Sequence, residues 1–263
     1  MHEFGFVFAG FFVGMVVGLT GVGGGSLMTP LLIFFFGVKP YLAVGTDLLF
    51  AAFTKSGGTL SLARQRLVPW RVVGQLCAGS IPASLLTLTV LHRIGPASPA
   101  AQAVMTSTLG VALLLTAAAM FFKAVRGKQA PRSLAHGDLD QATRARHWSL
   151  PVLFGAVIGT LVTLTSVGAG AIGVTVLLIL FPRLPLPRIV AADIAYAVPL
   201  TLVAGLGHAS LGSVDWPLLV KLLAGSLPGI WLGSRLMNRT PERVIRSILS
   251  VLLAWAGTKL VLI

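Results

Sequence analysis

Apolar residues run in long blocks along this chain, separated by short polar intervals, and the spacing predicts ten helical segments. In order they are Phe4 to Val22, Ser26 to Val38, Tyr41 to Leu62, Trp70 to Leu91, Ala100 to Phe122, Ser149 to Val167, Ala171 to Phe181, Ile189 to Leu211, Trp216 to Met237 and Val244 to Ile263. A polar stretch, Lys123 to Trp148, divides them into an N-terminal set over residues 1–122 and a C-terminal set over 149–263. Most blocks approach the roughly 20 residues needed to cross hydrocarbon about 30 Å thick. The second block of each set does not, since 11 to 13 residues at the helical rise reach only about 16 to 20 Å. The first two blocks of each set are therefore read as a broken helical hairpin.

An internal repeat supports the same division. Asp47 matches Asp193, Trp70 matches Trp216, and Ala78-Gly79-Ser80-Ile81-Pro82 matches Ala224-Gly225-Ser226-Leu227-Pro228, all at one offset of 146 residues. A constant offset without gaps marks a duplication.

Each half interrupts its apolar pattern with glycine. Leu19 to Pro30 reads Leu-Thr-Gly-Val-Gly-Gly-Gly-Ser-Leu-Met-Thr-Pro, and Gly21, Val22, Gly23 and Gly25 fall opposite Ser166, Val167, Gly168 and Gly170. Clustered glycine breaks a helix because it loses the most backbone entropy on ordering. Inside a membrane the freed backbone groups must find other partners. Interrupted segments at matching places in two halves point to a transporter's binding site.

Composition agrees with the bilayer reading: 56% of the 263 residues are hydrophobic and 10% are charged, against about 25% charged in soluble domains. The formal charge of +13 would suit a nucleic-acid partner only if it were gathered in one patch. It is spread between apolar blocks, so no nucleic acid is expected. The single cysteine, Cys77, precludes an internal disulfide and a cysteine metal cluster. The first block lacks a positive leader and a small-residue cleavage site, and is read as a retained helix.

Charge placement orders the topology. If each hairpin returns to its starting side, the halves are inverted, and fifteen Lys and Arg residues gather on one side against three, Lys39, Arg93 and Lys259. Parallel halves would give ten against eight. The positive-inside rule favours the inverted arrangement, with the basic loops cytoplasmic and both termini outside. The expected fold is thus an all-α membrane protein of two inverted repeats, five helical segments each, with a Gly-rich hairpin tip in each repeat.

Gly21-Val-Gly-Gly-Gly-Ser with Pro30 nearby, Ala43-Val-Gly-Thr-Asp47, the paired Ala-Gly-Ser-Ile/Leu-Pro runs and His208 to Trp216 together resemble the sulfite exporter TauE/SafE family. The likeness covers both halves, leaving out Lys123 to Trp148. Gly24 becomes Ala169 in the second copy, and Ala83 follows Pro82 where Gly229 follows Pro228. The resemblance implies a multi-pass permease of the cell (inner) membrane that exports sulfite, a sulfonate or a related sulfur compound. A homodimer is an open assembly state, and a channel-like or uptake permease and a non-transporting membrane subunit are the alternatives.

Candidate binding residues follow from the chemistry. Thr20, Gly21, Gly23, Gly24, Gly25 and Ser26 in the first motif, and Ser166, Gly168 and Gly170 in the second, border short helices whose free amides and positive dipole ends suit a small anion. Close packing of helices at small residues is the competing reading. Lys55 lies mid-segment, where a lysine costs about 2.5–3.5 kcal/mol to insert. It either contacts substrate or pairs with Asp47 or Asp193; its repeat equivalent is Thr201. Asp47 and Asp193 either accept hydrogen bonds from broken backbone or carry a coupling proton or cation. Lys221, near Trp216, is expected to snorkel to the interface. The histidines share no metal-ligand spacing, and no catalytic set is visible, so neither enzyme activity, a metal nor a cofactor is expected.

Overall fold

The computed structural model describes residues 2–20, 25–125, 149–168, 170–236 and 242–261, and within them every regular element is helical. The N-terminal set gives α1 (His2–Thr20), α2 (Gly25–Phe36), α3 (Pro40–Arg64), α4 (Trp70–Ile94) and α5 (Pro99–Val125). The C-terminal set gives α6 (Ser149–Thr165), α7 (Ala171–Leu180), α8 (Leu186–Ser210), α9 (Trp216–Leu236) and α10 (Glu242–Val261). The segments expected to be short are short: α2 has 12 residues and α7 has 10. Beyond Val125, the polar stretch lies outside the described residues as far as Trp148.

Helices α3 and α8 begin the same way, each with a proline in its first turn, where the missing N–H costs no helical bond. Because α8 starts at Leu186 rather than Ile189, Asp193 sits as deep in α8 as Asp47 does in α3, seven residues from the start. These two helices form the centre of the molecule. Every residue from Ala43 to Ala52 is buried, and α8 buries Ala191, Ala192, Ala195, Tyr196 and Ala197 in its corresponding stretch.

The central pair is antiparallel. Gly205 abuts Leu49, whereas Gly58 and Thr59 meet Ile194, so one number rises as the other falls. Around this pair the contacts are exchanged between halves: α4 packs on α8 and α9 on α3, while α2 covers α3 and α7 covers α8.

The outer helices join through glycine seams. Gly79 of α4 faces the backbone of Val152, and Gly155 and Gly159 of α6 face Leu76 and Ser80. The same seam recurs between α1 and α9, where Gly225 faces Val7, and Gly10 and Gly14 face Leu222 and Ser226. In each, a Cβ would collide with main-chain atoms, so only glycine allows this approach. Both seams run parallel, and both bind the first helix of one half to the fourth helix of the other.

Among the described residues, four helices are long and apolar enough to cross a membrane by length and composition: Trp70–Ile94, Pro99–Phe121, Leu186–Ser210 and Trp216–Gly233. Apolar helices of 10–17 residues accompany them at Gly5–Leu19, Leu27–Phe36, Ser149–Thr165 and Leu249–Leu260. Helix α3 is as long as α8 but more polar, because it carries the buried Asp47, Lys55 and Thr46 and further hydroxyls that are partly or fully exposed. The outer surface is apolar: Phe8, Leu86, Ile179 and Val251 are each about 70% exposed. Such a coat suits lipid rather than water.

Candidate functional site

The break between α6 and α7 is built by local chemistry. Thr165 ends α6 by turning its hydroxyl back to the Leu161 carbonyl at 2.6 Å and accepting the Val167 amide at 3.1 Å. Ser166 then takes φ +59°, and Gly168 and Gly170 take +132° and +141°. The last two conformations are open to glycine and strained for other residues. At Gly168 a Cβ would also press on Leu161 and Val162. The chain re-enters helix at Ala171, with the amide of Gly173 bound to the Gly168 carbonyl at 3.0 Å and that of Val174 to Gly170 at 2.9 Å.

This break reaches into the other half. The Ser166 hydroxyl, buried without a hydrogen-bond partner among the described residues, lies near the carboxylate of Asp47, a residue of α3. Asp47 also accepts the hydroxyl of Thr29 and is bonded by the Thr29 backbone, so it holds the early turns of α2. Asp193, its repeat equivalent, stands against the first turn of α7, where a Cβ on Gly173 would collide with Asp193 Oδ1. Each short helix therefore has a buried carboxylate near its start, where a negative group best offsets the dipole.

Lys55 lies within electrostatic reach of both carboxylates. It is 6% exposed and feels Asp193 most strongly, then Asp47. A buried cation flanked by two carboxylates satisfies the rule that charges inside a membrane are paired. Asp47, Lys55, Asp193 and Ser166 thus share one buried region drawn from both halves.

Among the other sequence candidates, Gly25 opens α2. Gly21, Gly23 and Gly24 lie outside the described residues, as do the side chains of Thr20 and Ser26. Lys221 is half-buried in α9, just after Trp216. Among the described residues, no three His, Cys, Asp or Glu side chains are grouped to hold a metal ion.

Sequence reasoning overlooked Thr29, Gly173 and Tyr196. Thr29 was legible only as part of the run before Pro30, and Gly173 as one more small residue. Tyr196 reads as an aromatic core residue one turn beyond Asp193, yet its hydroxyl is 3.2 Å from where a Cβ on Gly173 would lie. His208, expected at a helix end, is in the last turn of α8 and fully buried, with Nε2 2.9 Å from the Thr163 carbonyl. It ties α8 to α6.

Comparison with known proteins accords with this architecture. Residues 6–260 match the family described as "Sulfite exporter TauE/SafE". The chain is 36% identical to "Probable membrane transporter protein YjnA" of Bacillus subtilis (strain 168), over 97% of this chain and 98% of that one. It is 27% identical to "Probable membrane transporter protein YdhB" of the same organism, over 94% and 95%. A "Probable membrane transporter protein" of Xylella fastidiosa (strain Temecula1 / ATCC 700964) is 25% identical over 88% and 83%. No solved structure matches.

Proposed function

Because this chain belongs to the sulfite exporter TauE/SafE family and is a multi-pass membrane transporter rather than an enzyme, we propose that it is a secondary carrier for a small sulfur-containing anion. The cargo is sulfite, a sulfonate or a related compound, and the direction is export from the cytoplasm. The carrying observation is the buried Lys55, within electrostatic reach of two carboxylates near the starts of α2 and α7.

The working geometry is two inverted repeats whose glycine-rich tips flank the cargo. Inversion is supported by the antiparallel contact of the repeat-equivalent helices α3 and α8. Basic loops face the cytoplasm and both termini lie outside, in keeping with the positive-inside rule. Alternating access then rocks one half against the other around a fixed midplane site.

Charge balance makes the coupling specific. With Asp47, Asp193 and Lys55 all ionised, the trio carries a net negative charge and repels an anion. Neutralising one carboxylate removes the excess, and neutralising both leaves the lysine to attract the cargo. A proton is therefore the natural companion ion, with Asp47 and Asp193 as its carriers. The backbone amides of Gly23 to Ser26 and Gly168 to Ala171, with the hydroxyls of Thr20, Ser26 and Ser166, supply the donors that receive the oxyanion.

Sulfite flux in liposomes carrying the purified protein, with and without a pH gradient, tests this reading. The expected result is saturable flux that a pH gradient accelerates or reverses. Saturable flux indifferent to the gradient would remove the proton. Non-saturable flux would make the protein a channel, and absence of flux for sulfite and sulfonates alike would overturn transport of this cargo.

A further inference from the structure

Among the differences between the central helices α3 and α8 are two that change the buried chemistry. The repeat equivalent of Lys55 is Thr201, and that of Tyr196 is Phe50, both at the offset of 146. The first half has gained a cation and the second half a phenol. Asp47 is matched by Asp193, while Thr46 stands opposite Ala192, Leu49 opposite Ala195 and Thr54 opposite Leu200.

Tyr196 is fully buried, and its hydroxyl has no hydrogen-bond partner among the described residues. A phenol O–H removed from water without a partner is costly, and buried tyrosine hydroxyls ordinarily find one. Phe50 shows that the position accepts a ring without a hydroxyl, since it is 1% exposed in the equivalent place. Packing therefore does not explain the oxygen.

The oxygen's surroundings do. It faces the first turn of α7 beside Gly173, on the same side as the Asp193 carboxylate. Helix geometry leaves the first amides of α7 without intrahelical acceptors, and the amides of Gly173 and Val174 are already bound to Gly168 and Gly170. A neutral donor aimed at a helix N-terminus is suited to an anionic oxygen held there, which can accept from the phenol while the positive end of the helix dipole favours its charge.

We propose that the Tyr196 hydroxyl is a ligand of the transported oxyanion, donating to it at the first turn of α7 beside Gly173. Lys55 supplies charge from the first half and Tyr196 supplies direction from the second. The inference rests on the anion-transport reading above. It adds a specificity element: an anion with an acceptor atom placed to meet the phenol is favoured over one whose shape leaves the hydroxyl unpaired.

The test uses the full-length protein and sulfite. Tyr196→Phe copies the Phe50 side chain and is expected to melt at nearly the wild-type temperature. Its sulfite affinity by calorimetry should fall about tenfold, the loss expected of one hydrogen bond. Equal affinity in the two proteins overturns the role of Tyr196 while leaving anion transport intact. A second measurement does not depend on that variant folding. The chain has two tyrosines, so Tyr41→Phe protein labelled with ¹³C-tyrosine reports Tyr196 alone. Its ring resonance should shift on adding sulfite and saturate with the calorimetric affinity. Binding without a shift overturns the proposal, and failure of wild-type protein to bind sulfite or a sulfonate overturns it together with the transport reading.

Discussion

The Thr29 hydroxyl donates to the Asp47 carboxylate and so pins an early turn of α2 to the middle of α3. The bond is wholly buried, and Asp47 is also the residue that lies near Ser166 of the other half. Removing the hydroxyl while keeping the shape leaves a buried carboxylate short of a donor. Thr29→Val should cost about 1–3 kcal/mol, whereas Thr29→Ser should stay near wild type. Thermal unfolding in detergent measures both.

Lys55 and Asp193 should be energetically coupled. Lys55→Ala leaves two buried carboxylates without their cation, and Asp193→Asn relieves part of that burden. A double-mutant cycle on melting free energies should give a coupling above about 0.5 kcal/mol. Additive effects would show that the two groups do not act on each other. Ligand dependence then separates structure from transport: sulfite should stabilise wild type but not Lys55→Ala, and Lys55→Arg should retain part of the effect because charge survives while geometry changes.

The glycine seams give a pair of variants with opposite expectations. At Gly79 a Cβ meets the backbone of Val152, while at Gly74 on the same helix it meets open space. Gly79→Ala should destabilise by about 1–3 kcal/mol through overpacking. Gly74→Ala should be neutral or stabilise by up to about 1 kcal/mol through helix propensity. Melting of the two proteins side by side checks the seam.

Topology is open to chemical labelling. Gln65, at the end of α3, and Ser210, at the end of α8, are both exposed and lie at opposite ends of the antiparallel pair. Ser213 in the adjoining turn is fully buried and would be a poor reporter. In a Cys77→Ser background, an impermeant thiol reagent should reach Gln65→Cys from the cytoplasmic side and Ser210→Cys from outside. The reverse pattern, or reaction of both from one side, would overturn the proposed orientation.

Much of the architecture was legible because hydrophobic blocks and a gapless repeat are properties of single positions and of spacing. The ten helices, the two short ones and the equal standing of Asp47 and Asp193 follow from those. Lys55 also declared itself, since a lysine in an apolar block must be paired or functional. What escaped depends on which helices meet. Nothing in the local sequence distinguishes Tyr196 from a core aromatic, and only α7 packing on α8 brings its oxygen beside Gly173. The Thr29 bond to Asp47 likewise needs α2 folded against α3. Small residues at Gly79 and Gly155 announce close packing, but the sequence does not name the partner helix.

The crossed glycine seams bear on how the chain is made. Helix α1 leaves the ribosome well before α9, yet finds its closest neighbour there. Until α9 emerges, α1 presents Gly10 and Gly14 to lipid or to a holding factor, with its main chain bare on that side. The first half can thus enter the bilayer early but cannot close on itself, and its tertiary assembly waits for nearly the whole polypeptide. Two halves made as separate chains should consequently need each other to escape proteolysis, because the fold is interleaved rather than joined end to end.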